Sequence, residues 1–115
     1  MADKPLVWVG TSLEDLRQFP EAARRQAGFD LRRVQAGLDP TDWKPMASVG
    51  LGVREIRLEV GTAHRVFYVA KFAEAIYVLH GFEKRTRQTT SQDLEMGKRR
   101  YRELLAWRRE QKEGK

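Results

Sequence analysis

Three consecutive strand-like segments between residues 53 and 85 constrain the fold of this chain more than any other feature. VREIRLEV, HRVFYVA and AIYVLHGF follow one another with short breaks, and the basic cluster EKRTR closes them. The middle segment, His64 to Ala70, has apolar residues in both of its alternating sets, which is typical of a strand covered on both faces. We therefore place it at the centre of a sheet, with antiparallel neighbours because the connections are short.

The first segment, Val53 to Val60, has two different faces. Arg54 alternates with Ile56 and Leu58, and this set is predicted to be buried against a helix. Glu55 and Arg57 belong to the other set, which is predicted to point towards a more open face of the sheet.

The residues before this sheet predict one strand and two helices. The apolar run from Pro5 to Val9 is long enough for a first strand. Thr11 then stands in capping-box spacing with Glu14, and Pro20 fits the first position of a second helix. The apolar stripe of that helix recurs every three or four residues: Ala23, Ala27, Leu31, Val34 and Leu38. The arginines off this stripe are more simply read as a solvated helix face than as a binding surface: Arg24, Arg25, Arg32 and Arg33.

The segment from Gly37 to Gly52 is rich in proline and glycine and is predicted to be a connecting loop. A loop of this length is often functional, although Trp43 can equally serve to pin it to the core. A last helix is predicted from Ser91 to about Glu110. Its inner face is predicted to hold Leu94, Gly97, Tyr101, Leu104, Leu105 and Arg108, leaving Lys98, Arg99, Arg100, Arg102 and Arg109 outside. The order β-α-α-β-β-β-α predicts a single α+β domain over residues 1–115, with a mainly antiparallel sheet, a helical hairpin and a C-terminal helix.

Charge narrows the choice of partner. Lys and Arg number 22 against 16 Asp and Glu, a net charge of +6, which favours a polyanion such as nucleic acid. The alternative is that the domain is simply basic. The absence of cysteine excludes disulfides, and two isolated histidines argue against a zinc site, so we expect no cofactor. No apolar run approaches the roughly 20 residues that span a bilayer and no leader is evident, so we expect a cytoplasmic protein without a membrane partner.

Three motifs together resemble one family. The E-I-R-L of the first strand segment, the H-R-V-F-Y of the second and the L-H-G-F-E-K-R-T that ends the third are similar to the RelE/ParE toxin superfamily, in its phage-derived HigB-like branch. The resemblance extends from about Leu6 to Leu105. It implies a small RelE-like domain that is the toxin of a type II toxin–antitoxin system and acts as a ribosome-dependent messenger RNA endonuclease. It also implies a cognate antitoxin of the helix-turn-helix type, which binds operator DNA together with the toxin.

The resemblance also assigns site residues. In RelE-like members basic residues line a concave face of the sheet and cleave RNA without a metal ion. Matched position by position, these residues fall on Arg57, Arg65, Lys84 and Arg85. Such members have a tyrosine shortly after the last basic residue, where this chain has the segment Thr86 to Thr90.

The chemistry suggests a role for each residue. RNA cleavage needs a base for the 2′-hydroxyl, positive charge at phosphorus and an acid for the departing 5′-oxygen. Arg65 and Arg85 suit the second task, whereas Lys84 or His80 can move protons. For His80, a structural role as a partly buried, hydrogen-bonded histidine agrees with the sequence as well as a catalytic role does. Arg57 is read either as a phosphate contact or as a cross-strand partner of a neighbouring glutamate. The predicted phosphate contacts are completed by Arg54 and Arg87.

Other readings stay open. No G-x-S-x-G, P-loop or H-E-x-x-H occurs, and the pair Glu14 and Asp15 is predicted to be exposed, solvating charge. One alternative keeps the fold but inhibits gyrase by binding it, as ParE-like toxins do. Another is a basic nucleic-acid-binding or repressor component without an activity of its own.

Overall fold

Five strands form one sheet in the computed structural model, which describes residues 3–113. The strands are β1 (Leu6–Trp8), β2 (Trp43–Pro45), β3 (Val53–Leu58), β4 (His64–Val69) and β5 (Ile76–Glu83). The helices are α1 (Ser12–Arg17), α2 (Glu21–Gln35) and α3 (Ser91–Glu113). The strand order is β1-β5-β4-β3-β2, so the predicted central strand is confirmed as β4.

The α+β class and the mainly antiparallel sheet are also confirmed. Strands β2 to β5 pair antiparallel, and only β1 joins β5 in parallel. The prediction of a pure loop over residues 37–52 is wrong at Trp43–Pro45, where three residues form β2 along β3. This strand escaped prediction because it is short and carries a proline, which an edge strand tolerates.

The two faces of the sheet bury two separate cores. On one face α1 and α2 cover the set that includes Ile56, Leu58 and Tyr68. On the other face α3 covers Phe67, Tyr77 and neighbouring residues. The cores are separate because side chains alternate across each strand.

Helix α3 lies close to the sheet through its predicted inner face. Gly97 is buried there, and a Cβ at this position would lie 2.8 Å from the ring of Phe67. Tyr101 and Leu104 continue the contact. No helix within residues 3–113 is long and apolar enough to cross a membrane.

Several predicted boundaries shift. Helix α2 begins after Pro20, which takes the N-cap position, and ends at Gln35. Leu38 is therefore exposed beyond the helix rather than on its apolar stripe. The chain turns away at Gly37, whose φ of 87° favours glycine.

Candidate functional site

Four cations from four parts of the chain surround one buried carboxylate on the α3 face of the sheet. The β2–β3 register places Lys44 opposite Glu55, and the β3–β4 register places Arg57 opposite Arg65. Lys84 follows β5 directly, and its backbone N–H donates to the carbonyl of residue 63 at 2.8 Å. We name Lys44, Arg57, Arg65 and Lys84 the cation cluster. Antiparallel pairing brings these residues together although they span 41 positions, from 44 to 84, in the sequence.

Glu55 lies at the centre of the cation cluster and is fully buried. Its Oε1 is 3.6 Å from Arg65 Nε and 3.9 Å from Lys44 Nζ. Neither carboxylate oxygen has a hydrogen-bond partner in the described part of the chain. Burial raises the pKa of Glu55, although the surrounding cations oppose the shift. Glu55 is therefore a desolvated carboxyl group beneath the cations, and its burial disfavours the charged form while the cations favour it.

Arg65 is the most deeply buried member of the cation cluster, with 4% of its side chain exposed. Its Nη2 lies 3.0 Å from an oxygen of Glu59, and its Nη1 donates to the carbonyl of His64 at 2.9 Å. Its Nε has no hydrogen-bond acceptor within residues 3–113. Arg65 is thus buried although it lies near the start of β4, with two carboxylates against one guanidinium.

Arg57 and Lys84 are half-buried, intermediate between the buried Arg65 and Lys44, whose side chain is 47% exposed. Burial and the nearby charge of Arg65 are the main causes that lower the pKa of Lys84. Arg57 makes no ion pair among the described residues, and its Nε is buried without a partner. Glu55 and Glu59, the neighbouring glutamates predicted as possible partners of Arg57, contact Arg65 instead.

The other predicted arginines lie outside the cation cluster. Arg85 is exposed and pairs with Glu83 at 2.9 Å. Arg87 is exposed in the segment between β5 and α3. Arg54 projects to the opposite face, where it lies 4.2 Å from the ring centroid of Trp43 and pairs with an aspartate of the preceding loop. Arg54 and Arg57 therefore lie on opposite faces of the sheet, because side chains alternate along a strand.

His80 belongs to a second group of polar side chains, which joins α1, β5 and α3. Its Nε2 lies 2.8 Å from Asp93 and its Nδ1 3.4 Å from Asp15. Arg100 pairs with the same Asp15 at 2.9 Å and donates to the hydroxyl of Thr11 at 2.6 Å. We name these five residues the interhelical network. None of the ion pairs or hydrogen bonds of His80 reaches the cation cluster.

The interhelical network overturns three expectations. Arg100 is buried rather than on the outer face of α3, because Asp15 and the carbonyl of Leu79 compensate its charge. Asp15 is half-buried and paired rather than merely solvating. Thr11 makes no side-chain cap bond, since its hydroxyl serves Arg100.

The chain matches a family of phage-derived proteins. The model of the family described as phage derived protein Gp49-like matches residues 14–102, which is more than half of the chain. The chain belongs to this Gp49-like family. The family is associated with RelE-like toxins. No curated protein matches the chain.

In this Gp49-like protein sequence reasoning missed two members of the site. The alternation of β3 already placed Glu55 on the open face, yet nothing local marked it as the centre of four cations. Lys44 lies in the segment predicted as loop, so its side chain had no predicted direction. All of these cluster residues fall within the range that the family model matches.

Proposed function

We propose that this Gp49-like protein is the toxin of a type II toxin–antitoxin pair, and that it cleaves messenger RNA on the ribosome without a metal ion. The observation that carries the proposal is the cation cluster. Charges this close repel one another, so an arrangement of four cations and one buried carboxylate favours an anionic ligand. A phosphodiester of RNA fits both this charge and the net charge of the chain.

In the proposed reaction the 2′-oxygen attacks the adjacent phosphorus and loses its proton. The bond from phosphorus to the 5′-oxygen breaks, and the 5′-oxygen takes up a proton, leaving a 2′,3′-cyclic phosphate and a 5′-hydroxyl. Arg57 and Arg65 supply positive charge to the pentavalent phosphorus. Lys84 is our choice of proton donor, because a lysine with a lowered pKa gives up its proton more readily.

The remaining predicted residues take outer positions in this proposal. Arg85 and Arg87 are exposed beside Lys84 in sequence, where they can contact neighbouring phosphates. His80 has a carboxylate at each ring nitrogen, so we assign it to holding the network rather than to proton transfer. In this proposal a water molecule takes up the proton of the 2′-hydroxyl.

The proposed partners follow from the same charge. A cognate antitoxin with an acidic segment would cover the cation cluster, and operator DNA would be bound only through the toxin–antitoxin complex. The ribosome and messenger RNA are cytoplasmic, so we propose that the protein acts there.

The experiment is tightly controlled expression of the wild type beside Arg65→Ala, with primer extension on an abundant messenger RNA. We expect growth arrest and new 5′ ends inside translated codons, both lost in the variant. Arg24→Ala, which removes an exposed arginine of α2, is the matched control and should remain toxic. Arrest without new ends would refute cleavage, and a fully toxic Arg65→Ala would refute the site.

One observation favours a second candidate, a toxin that acts by binding a protein such as gyrase. Arg65 is almost fully buried and faces two carboxylates, which also suits a structural ion-pair network. Under this candidate the wild type arrests growth without new 5′ ends, so the same experiment separates the two.

A further inference from the structure

Two carboxylates face Arg65, and they differ sharply in exposure. Glu55 has no exposed surface and lies 3.6 Å from Nε, whereas Glu59 has 55% of its side chain exposed and lies 3.0 Å from Nη2. Nε and Nη2 form one edge of the guanidinium, which is an edge that can bind phosphate through two parallel hydrogen bonds. Glu59 therefore occupies a donor that a bound phosphate would use.

Glu59 can leave this position and Glu55 cannot. The last residue of β3 paired with β4 is Leu58, opposite His64, so Glu59 stands just beyond the ladder. The connection continues through Gly61, whose φ of 73° marks a tight turn. Arg65 is the only ion-pair partner of Glu59 among the described residues. The side chain of Glu59 can thus turn to solvent without breaking a strand pairing. Glu55 cannot, because it lies in β3, which is paired with β2 on one side and β4 on the other.

We propose that Glu59 is a built-in competitor for the RNA phosphate at Arg65. It pairs with Nη2 in the free protein and turns into solvent when a phosphodiester binds. This inference rests on the proposed function, because it requires that Arg65 contact RNA.

The proposed competitor predicts that the protein binds polymeric RNA in preference to a single phosphate. One isolated phosphate gains little by replacing a carboxylate that already pairs with Arg65. An RNA strand places successive phosphates against Lys44, Arg57 and Lys84 as well, so the added contacts displace Glu59. Competition by Glu59 therefore favours binding of an extended RNA backbone.

The test measures binding of a single-stranded RNA hexamer that carries 2′-O-methyl groups and cannot be cleaved, by fluorescence anisotropy at fixed ionic strength. Glu59→Gln should bind about two- to fivefold more tightly than wild type, the range that an exposed ion pair contributes. Glu95→Gln is the matched control. It makes the same change of charge, is 65% exposed and also loses a cation partner, Lys98 at 3.4 Å, so its affinity should stay close to wild type.

Unchanged or weaker binding by Glu59→Gln overturns the inference, and so does an equal gain in Glu95→Gln, which would reflect net charge alone. Arg65→Lys keeps the charge but loses the planar fork, and it should weaken binding and erase the effect of Glu59→Gln in the double variant. The variants Arg65→Lys and Arg65→Ala are first shown to be folded by circular dichroism. If both then bind the RNA hexamer as tightly as wild type, the proposed function fails at this site.

Discussion

Replacing Asp15 by asparagine tests the interhelical network that joins α1, β5 and α3. The Asp15 carboxylate lies 2.9 Å from Nη1 of the buried Arg100 and 3.4 Å from Nδ1 of His80. Asparagine keeps the shape of the side chain but removes its charge. Arg100 then retains only neutral acceptors, the carbonyl of Leu79 and the hydroxyl of Thr11.

The size of the effect follows from the burial of the pair. Breaking a fully buried ion pair costs about 3–5 kcal/mol, whereas a hydrogen bond to a charged group contributes about 1.5–3 kcal/mol. Asp15 is partly exposed and Arg100 keeps two acceptors, so the lower range applies. We expect the free energy of unfolding to fall by about 2 kcal/mol at neutral pH, and the Tm to fall by roughly 6–10 °C for a domain of this size.

The assay is urea unfolding followed by circular dichroism, with Glu14→Gln as control. Glu14 lies on the same helix, is exposed and makes no ion pair in the described part of the chain. A surface change of this kind stays within about 0.5 kcal/mol. If Asp15→Asn were no less stable than Glu14→Gln, the interhelical network would contribute nothing and our reasoning on Arg100 would be refuted.

Two further predictions concern acid stability and the cation cluster. Arg108 hydrogen bonds to Glu74 and holds the pKa of Glu74 at about 2, below its ordinary 4.5. A lowered folded-state pKa stabilises the fold above pH 4.5, and this stabilisation is lost as the pH falls towards 2. The advantage of wild type over Glu74→Gln in urea unfolding should be about 1 kcal/mol at neutral pH, given the exposure of the pair, and should vanish near pH 2; a pH-independent difference would contradict it. Lys84→Gln should slow RNA cleavage by about 100-fold with an unchanged Tm, whereas Lys112→Gln, the same change at an exposed residue of α3, should stay near wild type in the same primer-extension assay. Equal losses in both variants would remove Lys84 from its special role.

The sequence by itself determined the three antiparallel strands β3 to β5 and the shared face of Glu55 and Arg57. The two-faced apolar pattern of His64 to Ala70 predicted the central strand, and alternation in β3 predicted that Glu55 and Arg57 share one face. The prediction that this face is open is wrong at Glu55, which is fully buried. These features are local, because a strand's side chains alternate every residue whatever the rest of the chain does. The fold class followed from the order of such local patterns.

Only the tertiary structure decided which charges meet. Lys44 belongs to the cluster because the short strand β2 pairs with β3. Arg65, and not Arg57, forms the ion pairs with both Glu55 and Glu59. Asp15 and Arg100 are 85 residues apart in sequence, so neither could reveal that the other would compensate it. Ion pairs depend on distances of a few ångströms, which strand register and helix packing set. A pattern along the chain fixes the face of a side chain but not its partner.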